Sequence, residues 1–398
     1  MSQIVETAYH SLCKTGEELC GDWVKVTSTS EDLIVILSDG LGSGVKANIL
    51  ATLTAEIAAG MLEKGASIDQ VVETLIETLP ECQVRHLAYA TFAVLRIHKG
   101  REAYLAEYDS PPLIHVRKGA VLATPARERV IAGRTIREAQ FVLEPGDYLV
   151  MVSDGYVHAG VGGLYRMGWG WKNLSIAAQR WAETRGDTHQ LVGALSRTCL
   201  KLSNGKLGDD ATAVAMWVRP YRKATVLTGP PSEPSLDPIA VDKLMSSQGV
   251  KVICGGTTAQ MAARVLGKPL RVQLRTQGAR PGPPQGAPSG PQPGRKLPPT
   301  GELEGVDLVT EGILTLSAAV DRLRDVETVH DLPPDQDAAT RLVRTLLHAD
   351  QIHFIVGDAI NPQQLADVVR GVPMREIYLE ELIVKLRERH KRVTVEHL

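Results

Sequence analysis

Aromatic residues are scarce in this chain: Phe, Trp and Tyr make up 4% of its 398 residues. So few flat rings offer no stacking platform for single-stranded nucleic acid. Charge of one sign is missing too, since 44 Lys and Arg stand against 46 Asp and Glu. A formal charge of −2 leaves no basic footprint for nucleic acid or for an anionic membrane. Cysteine is limited to Cys13, Cys20, Cys82, Cys199 and Cys254, an odd set without the short paired spacing of a zinc knuckle or a redox motif. Scattered thiols of this kind fit a reducing cytosol better than a disulfide scaffold. No basic start followed by an apolar run opens the sequence, so no signal peptide is expected. The most apolar stretch, 45–62, carries Lys46, Asn48, Glu56 and several Thr. It reads as a buried or half-buried helix and not as a membrane span. The expectation is a cytoplasmic protein that binds neither nucleic acid nor membrane.

What is present is a globular composition, 43% hydrophobic and 23% charged, on a chain long enough for two cores. Strand-like runs cover 32–38, 88–98, 102–108, 113–117, 120–123, 148–153 and 211–218, with turn pairs such as Lys99-Gly100 and Lys118-Gly119 between several of them. Helical patterns occupy 45–64, 68–79, 174–184 and 188–202. Hairpin-linked strands with helices in separate blocks predict an α+β domain with antiparallel sheets. After Arg219-Pro220 the rhythm changes, and strand-like 224–228, 250–254, 306–310 and 352–356 are each followed by a helical pattern. That alternation predicts an α/β domain with a mainly parallel sheet. The division therefore falls near 220–224, into domains 1–222 and 223–398. The Pro- and Gly-rich stretch 278–301 reads as a flexible or extended loop inside the second domain, because the strand–helix rhythm resumes beyond it.

Four segments of the first domain set an aspartate beside a glycine or a second aspartate: Gly21-Asp22, Ser38-Asp39-Gly40, Ser153-Asp154-Gly155 and Asp209-Asp210. One Asp-Gly pair alone is usually a turn. Asp39 and Asp154, however, both end apolar strands (LIVIL and YLVMV), where a rigid scaffold presents side chains into a cleft. The glycine after each is expected to allow a tight turn. Carboxylates gathered without His or Cys suit Mg²⁺ or Mn²⁺ and not zinc. Two such ions about 3.5–4 Å apart activate a water and clamp a phosphoryl group during in-line attack.

The order and neighbours of these motifs resemble the PPM (PP2C-like) serine/threonine phosphatases, in particular their bacterial SpoIIE-type branch. The matching strings are ELCGD, ILSDGLGSG, EYDSPPLIHVRKG, LEPGDYLVMVSDG and GDDATAVAM, spread over residues 10–220. The resemblance implies a PP2C-like antiparallel β-sandwich flanked by helices, with two Mn²⁺ or Mg²⁺ ions. It implies that Asp22 and the Gly40 carbonyl hold the second metal and that Asp39 bridges both. Asp154 and Asp209 would complete the first metal, with Asp210 supporting the site through hydrogen bonds. The catalytic set would be Asp22, Asp39, Asp154 and Asp209, acting on a phosphorylated protein such as an anti-sigma-factor antagonist. Two departures matter. Eukaryotic members carry a His where this chain has Leu41, and an Arg near the first acidic motif where it has Glu17 and Glu18. The SpoIIE-type branch shares both departures, which implies a slow, regulated enzyme. The helices over 45–64 and 68–79 match a pair that relatives use as a switch.

In the second domain four strand-like runs end in glycine, at Gly229, Gly255-Gly256, Gly312 and Gly357. The carboxyl ends of parallel strands form the ligand edge of such sheets. Gly255, Gly256, Thr257 and Thr258 open a helical pattern and are the candidate site for an anionic small molecule. No complete phosphate-binding fingerprint is present, so docking or dimerisation is the competing role. Asn361-Pro362 reads as another helix start, and 378–390 as a helix that faces solvent, a partner or a second copy. The leading expectation is a phosphatase regulated by its second domain. The rivals are a phospho-reader without turnover and a small-molecule sensor with phosphatase output.

Overall fold

The runs LIVIL (33–37) and YLVMV (148–152) show no alternation of apolar and polar residues, so a strand built from either needs cover on both faces. The computed structural model provides it. The model describes residues 3–78, 90–162, 165–184, 186–273, 300–334, 337–359, 368–369, 372–389 and 391–398. Two units emerge, Met1–Pro220 and Tyr221–Leu398.

The first unit runs β1 (Gln3–Leu12), β2 (Asp22–Ser28), β3 (Asp32–Gly40), α1 (Gly44–Glu63) and α2 (Ile68–Thr78). It continues with β4 (Ala90–His98), β5 (Glu102–Tyr108), β6 (Ile114–Arg117), β7 (Ala120–Leu122), β8 (Arg127–Ile131) and β9 (Arg134–Val142). It closes with β10 (Tyr148–Val152), α3 (Asp154–Val157), α4 (Trp171–Glu183), α5 (Thr188–Leu202) and β11 (Ala211–Pro220). Two antiparallel sheets form, in the orders β1-β11-β10-β6-β7 and β2-β3-β4-β5-β9-β8. Between them Val35 and Leu37 of β3 meet Leu149 and Met151 of β10. The alternate residues face outward, Ile34 and Ile36 under α1 and α2, and Val150 and Val152 under α4 and α5. This is the expected sandwich flanked by helices. The alternation of side chains along a strand splits each apolar run between two cores.

Four described strands of the first unit were not legible in the sequence. β8, at the sheet edge, and β9 beside it carry Arg127, Glu128, Arg129, Arg134 and Arg137, and the exposed face of an edge strand permits charge. β1 pairs along its whole length with β11, a partner about two hundred residues away that no local pattern announces. β2 is held to β3 by a ladder from Asp22↔Asp39 to Ser28↔Leu33. The apolar stretch 45–62 is α1, the one described helix long and apolar enough to cross a membrane. Its Leu50, Ala51, Ala55, Ala58 and Leu62 are buried, while Val45, Ile49 and Leu53 are exposed.

The second unit contains β12 (Lys223–Thr228), α6 (Asp237–Ser246), β13 (Val250–Cys254), α7 (Gly256–Leu266), β14 (Arg271–Gln273), β15 (Thr300–Glu302) and β16 (Leu308–Thr310). After these come α8 (Ile313–Asp325), α9 (Ala338–His348), β17 (Gln351–Val356), β18 (Val368–Val369), β19 (Val372–Pro373), α10 (Met374–Glu388) and β20 (Arg392–His397). One sheet has the order β14-β15-β16-β13-β12-β17-β20, parallel from β16 to β20 and antiparallel at β14 and β15. Helices α6 and α7 cover one face, and α8, α9 and α10 the other, as expected for an α/β unit. Most of the 278–301 stretch, Asn361-Pro362 and Cys82 lie outside the described residues. Thr300 and Gly301 do not: they belong to β15, paired with β14 and β16, and so are strand where the sequence suggested loop. The 378–390 helix is also corrected. It starts earlier, at Met374, and its Leu379, Leu382, Ile383 and Leu386 are buried in its own unit.

Candidate metal centre

Each aspartate of the four acidic motifs lies at or near the end of a strand whose register fixes it. Asp22 begins β2 and lies directly across from Asp39 at the end of β3. Asp154 follows β10 as the first residue of α3. Asp209 and Asp210 lead into β11, which pairs with β10. These ends belong to different sheets, and Ser153 joins them. Its hydroxyl donates to Asp22 Oδ2 at 2.7 Å and accepts from the Thr212 N–H at 2.9 Å. Ser153 and Thr212 stand inside quoted motifs, but these roles were not legible there because their partners are distant in sequence.

The glycines act differently from the expected turns. Neither Gly40 nor Gly155 has a positive φ, and both allow backbone to approach closely. A Cβ on Gly40 would lie 2.1 Å from the Ala47 carbonyl oxygen, and one on Gly155 would lie 1.9 Å from the Asp210 carbonyl oxygen. The first turn of α1 is thus pressed onto Asp39-Gly40, and the Asp209-Asp210 segment onto Asp154-Gly155. Glu17 serves a structural role at the same end of α1, accepting from the Ser43 hydroxyl at 2.9 Å.

Convergence of charge dominates the electrostatics. Asp39 is pushed up to about 9, first by burial and then by Asp22, Asp154, Asp209 and Asp210. Asp22 rises to about 7, chiefly through burial, although hydrogen bonds from Ser153 and Thr212 oppose the shift. Loss of hydration and the Asp154 charge raise Asp209, with Lys14 pulling the other way. Asp22 Oδ1 and Asp210 Oδ2 are buried without a hydrogen-bond partner, while Asp210 Oδ1 accepts from the Lys14 N–H at 2.9 Å. Carboxylates crowded this way, with acceptor atoms left over, fit hard divalent cations. Of the sequence-derived ligands, Asp22, Asp39, Asp154, Asp209 and Asp210 fall within mutual electrostatic reach, and Gly40 is bonded through its N–H to the Gly21 carbonyl at 3.1 Å. Two thiols also stand beside the cluster. Cys13, Cys20 and Asp210 offer ligand atoms within 4.8 Å of one another, a proximity that a separation of seven residues did not reveal. Burial and the Asp22 charge raise the Cys20 thiol, which keeps it protonated and a poor ligand.

A groove of about 1110 Å³ extends from Asp39, Asp154 and Asp209 past Lys14 and His158 to Arg134 and the 109–112 turn. Glu107 holds that turn, accepting from the Leu113 N–H at 2.7 Å and from Arg137 Nε at 2.8 Å. On the other side Trp171 Nε1 donates to the Pro112 carbonyl at 2.7 Å. The stretch Asp109-Ser110-Pro111-Pro112 is therefore a braced wall. Lys25 of β2 pairs with Glu56 of α1 at 2.8 Å.

Residues 29–219 match the family model described as Stage II sporulation protein E (SpoIIE). The first unit is a SpoIIE-type, PP2C-like phosphatase domain. Among solved structures, the PP2C phosphatase domain with a regulatory-domain fragment of SpoIIE from Bacillus subtilis is similar at 21% identity and TM-score 0.46, over 55% of this chain and 64% of that one. The match thus spans less than two thirds of that solved chain. The RsbU and RsbW domains of a Mycobacterium tuberculosis protein match at 19% identity and TM-score 0.44, over 54% of this chain and 60% of that one. The SiaA-PP2C domain of Pseudomonas aeruginosa matches at 17% identity and TM-score 0.44, over 52% and 85% respectively. No curated protein sequence matches the chain. In the SpoIIE-type domain Asp39, Asp154 and Asp209 line the groove, and Asp22 and Asp210 lie within electrostatic reach of Asp39. The second unit's Gly255, Gly256, Thr257 and Thr258 lie together at the start of α7, in a separate cleft.

Proposed function

We propose that this chain removes phosphate from phosphoserine or phosphothreonine of a protein, using two Mn²⁺ or Mg²⁺ ions held by Asp22, Asp39, Asp154 and Asp209. The observation that carries this reading is the convergence of these carboxylates beside one groove, where burial and the neighbouring charges raise Asp22, Asp39 and Asp209. Bound there, divalent cations supply Lewis acidity toward the phosphoryl oxygens and acidify the attacking water. Asp39 sits centrally enough to feel all four other carboxylates, which suits a bridging ligand. Ser153 orients Asp22 from the opposite sheet. Lys14, on the groove beside Asp209, is placed to meet the substrate phosphate. The braced 109–112 turn gives an extended segment a fixed wall to lie against. Leu41 lines the same groove and has no proton to give, so the leaving oxygen takes its proton from water. Lack of a positioned acid commonly costs ~10²–10⁴ in rate, in keeping with a slow switch enzyme. An anti-sigma-factor antagonist is the substrate type that the family suggests, with the second unit as regulator.

Hydrolysis of an aryl phosphate and of a phosphoserine peptide, with and without Mn²⁺, tests the reading. Asp39→Asn and Asp154→Asn are expected to reduce turnover at least a hundredfold while leaving the circular dichroism spectrum unchanged. Asp210→Asn is expected to be milder than Asp209→Asn in a metal titration, because one Asp210 oxygen is already engaged by the Lys14 N–H. Activity retained by Asp39→Asn would rule out the bridging role. Metal-dependent phosphopeptide binding without phosphate release would instead identify a phospho-reader.

A further inference from the structure

We infer that the second unit binds a phosphate-bearing small molecule in the cleft at the carboxyl edge of its parallel sheet, with Arg375 as the countercharge. The inference does not depend on the phosphatase reading. Within the sheet order β16-β13-β12-β17-β20, successive strands first step from β12 toward β13 and β16, and then return to β17 on the other side. The direction reverses beside β12, and such a switch point leaves a crevice outside the strand ends. A cleft of about 420 Å³ lies there, lined by Gly229, Gly255, Gly256, Thr258, Gly312 and Arg375 among others.

Three independent features of this cleft call for an anion. The first is helical. Both α7 and α8 start at it, capped by Gly255 and Gly312 with no side-chain cap, and a Cβ on Gly312 would lie 3.4 Å from the Gly255 Cα. Glu311 takes the Leu314 N–H of α8 at 3.1 Å, so α7 is the helix whose first-turn N–H groups are left to bind a ligand. The second is Thr258, which is fully buried with an unpartnered Oγ1. The third is the guanidinium. Among the described residues Arg375 makes no ion pair; its Nη2 donates to the Gly357 carbonyl at 2.7 Å, and its buried Nε has no partner. It also occupies the first turn of α10, where the helix dipole disfavours a cation. A Cβ on Gly229, whose φ is +77°, would lie 2.0 Å from Arg375 Nη1, so the glycine makes room for the guanidinium. Burial pushes the Arg375 pKa down, the cost an anion would offset. A tetrahedral phosphate can accept from a helix start, a hydroxyl and a guanidinium at once, whereas the two coplanar oxygens of a carboxylate reach fewer of them. The cleft is also roomier than phosphate alone requires, since ligand pockets commonly begin near 300 Å³.

Calorimetric titration of the full chain with inorganic phosphate and pyrophosphate tests this, in EDTA so that the first unit's carboxylates carry no cation. Citrate is the carboxylate control. Pyrophosphate is expected to bind, and to bind at least tenfold more weakly to Arg375→Met and to Gly256→Val, with Arg375→Lys intermediate. Nothing lies within 4 Å of a Cβ on Gly256, so that side chain projects into the cleft without disturbing the core. An unchanged melting temperature of Gly256→Val separates loss of the site from loss of the fold. Undiminished binding by both variants, no binding of either phosphate probe, or citrate binding as tightly as pyrophosphate would each overturn the assignment.

Discussion

Asp22 and Asp39 show at the residue scale how the first unit depends on its cations. Burial and neighbouring carboxylates raise them from 3.8 to about 7 and about 9. A carboxyl with a higher pKa in the folded state keeps its proton there, so the folded state binds more protons than the unfolded one and stability falls as pH rises. That fall begins above 3.8, the unfolded value, and ends once the folded groups have ionised, near 7 and 9. In EDTA the melting temperature is therefore expected to drop between about pH 5 and pH 8, and millimolar Mn²⁺ to raise it and flatten the slope. A pH slope identical with and without Mn²⁺ would show that these carboxylates do not hold the ion. Asp39→Asn is expected to flatten the slope in EDTA as well, by removing the most strongly shifted group.

The ends of elements, more than their interiors, build the site. β2, β3, β10 and β11 each deliver an aspartate at a terminus, and two glycines let neighbouring backbone close over those termini. Gly40→Ala and Gly155→Ala each place a methyl within 2.1 Å of a carbonyl oxygen, so backbone must move. Overpacking of this kind typically costs about 1–3 kcal/mol. Both variants are expected to melt earlier and to bind Mn²⁺ more weakly, since Asp39 and Asp209 move with the displaced segments. Gly60, inside α1, is the contrast: nothing lies within 4 Å of its Cβ. Gly60→Ala is expected to stabilise by about 0.5–1 kcal/mol, the usual helix-interior difference. Chemical denaturation of the three variants side by side checks both the sign and the site dependence. Destabilisation by all three alike would mean that close approach at the aspartates has no special weight.

For the whole molecule, the division at Pro220–Tyr221 separates two sets of cores. The SpoIIE-type unit buries Val35, Leu37, Leu149 and Met151 between its sheets, whereas Val252, Leu316, Leu342 and Phe354 belong to the second unit. Since the metal ligands proposed here all lie in the first unit, cation binding should act on that unit's unfolding. Scanning calorimetry of the full chain is expected to resolve two transitions, of which EDTA lowers one and leaves the other in place. A single transition that moves as a whole with EDTA would show the two units to unfold as one.

By itself the sequence determined the chemistry class and the layers. Four acidic motifs in a fixed order, apolar runs bounded by turn pairs, and a change from hairpins to strand–helix alternation are local patterns, and local patterns survive in one dimension. Element ends were legible to within a few residues for 102–108, 188–202 and 250–254 for the same reason. Contacts between distant segments were decided only in the tertiary structure. They include the Ser153–Asp22 hydrogen bond that ties the two sheets, Lys14 beside Asp209, Glu107 bracing the 109–112 turn, and Cys13 and Cys20 beside Asp210. The glycines illustrate the difference most plainly. Gly40 and Gly155 read as turn residues because a chain without coordinates shows only neighbours, yet their role depends on Ala47 and Asp210, which the fold brings against them. Arg375 followed the same rule in the second unit. Its charge was visible in the sequence, but its half-buried place beside the start of α7, with no ion pair among the described residues, follows from the order in which the strands pack.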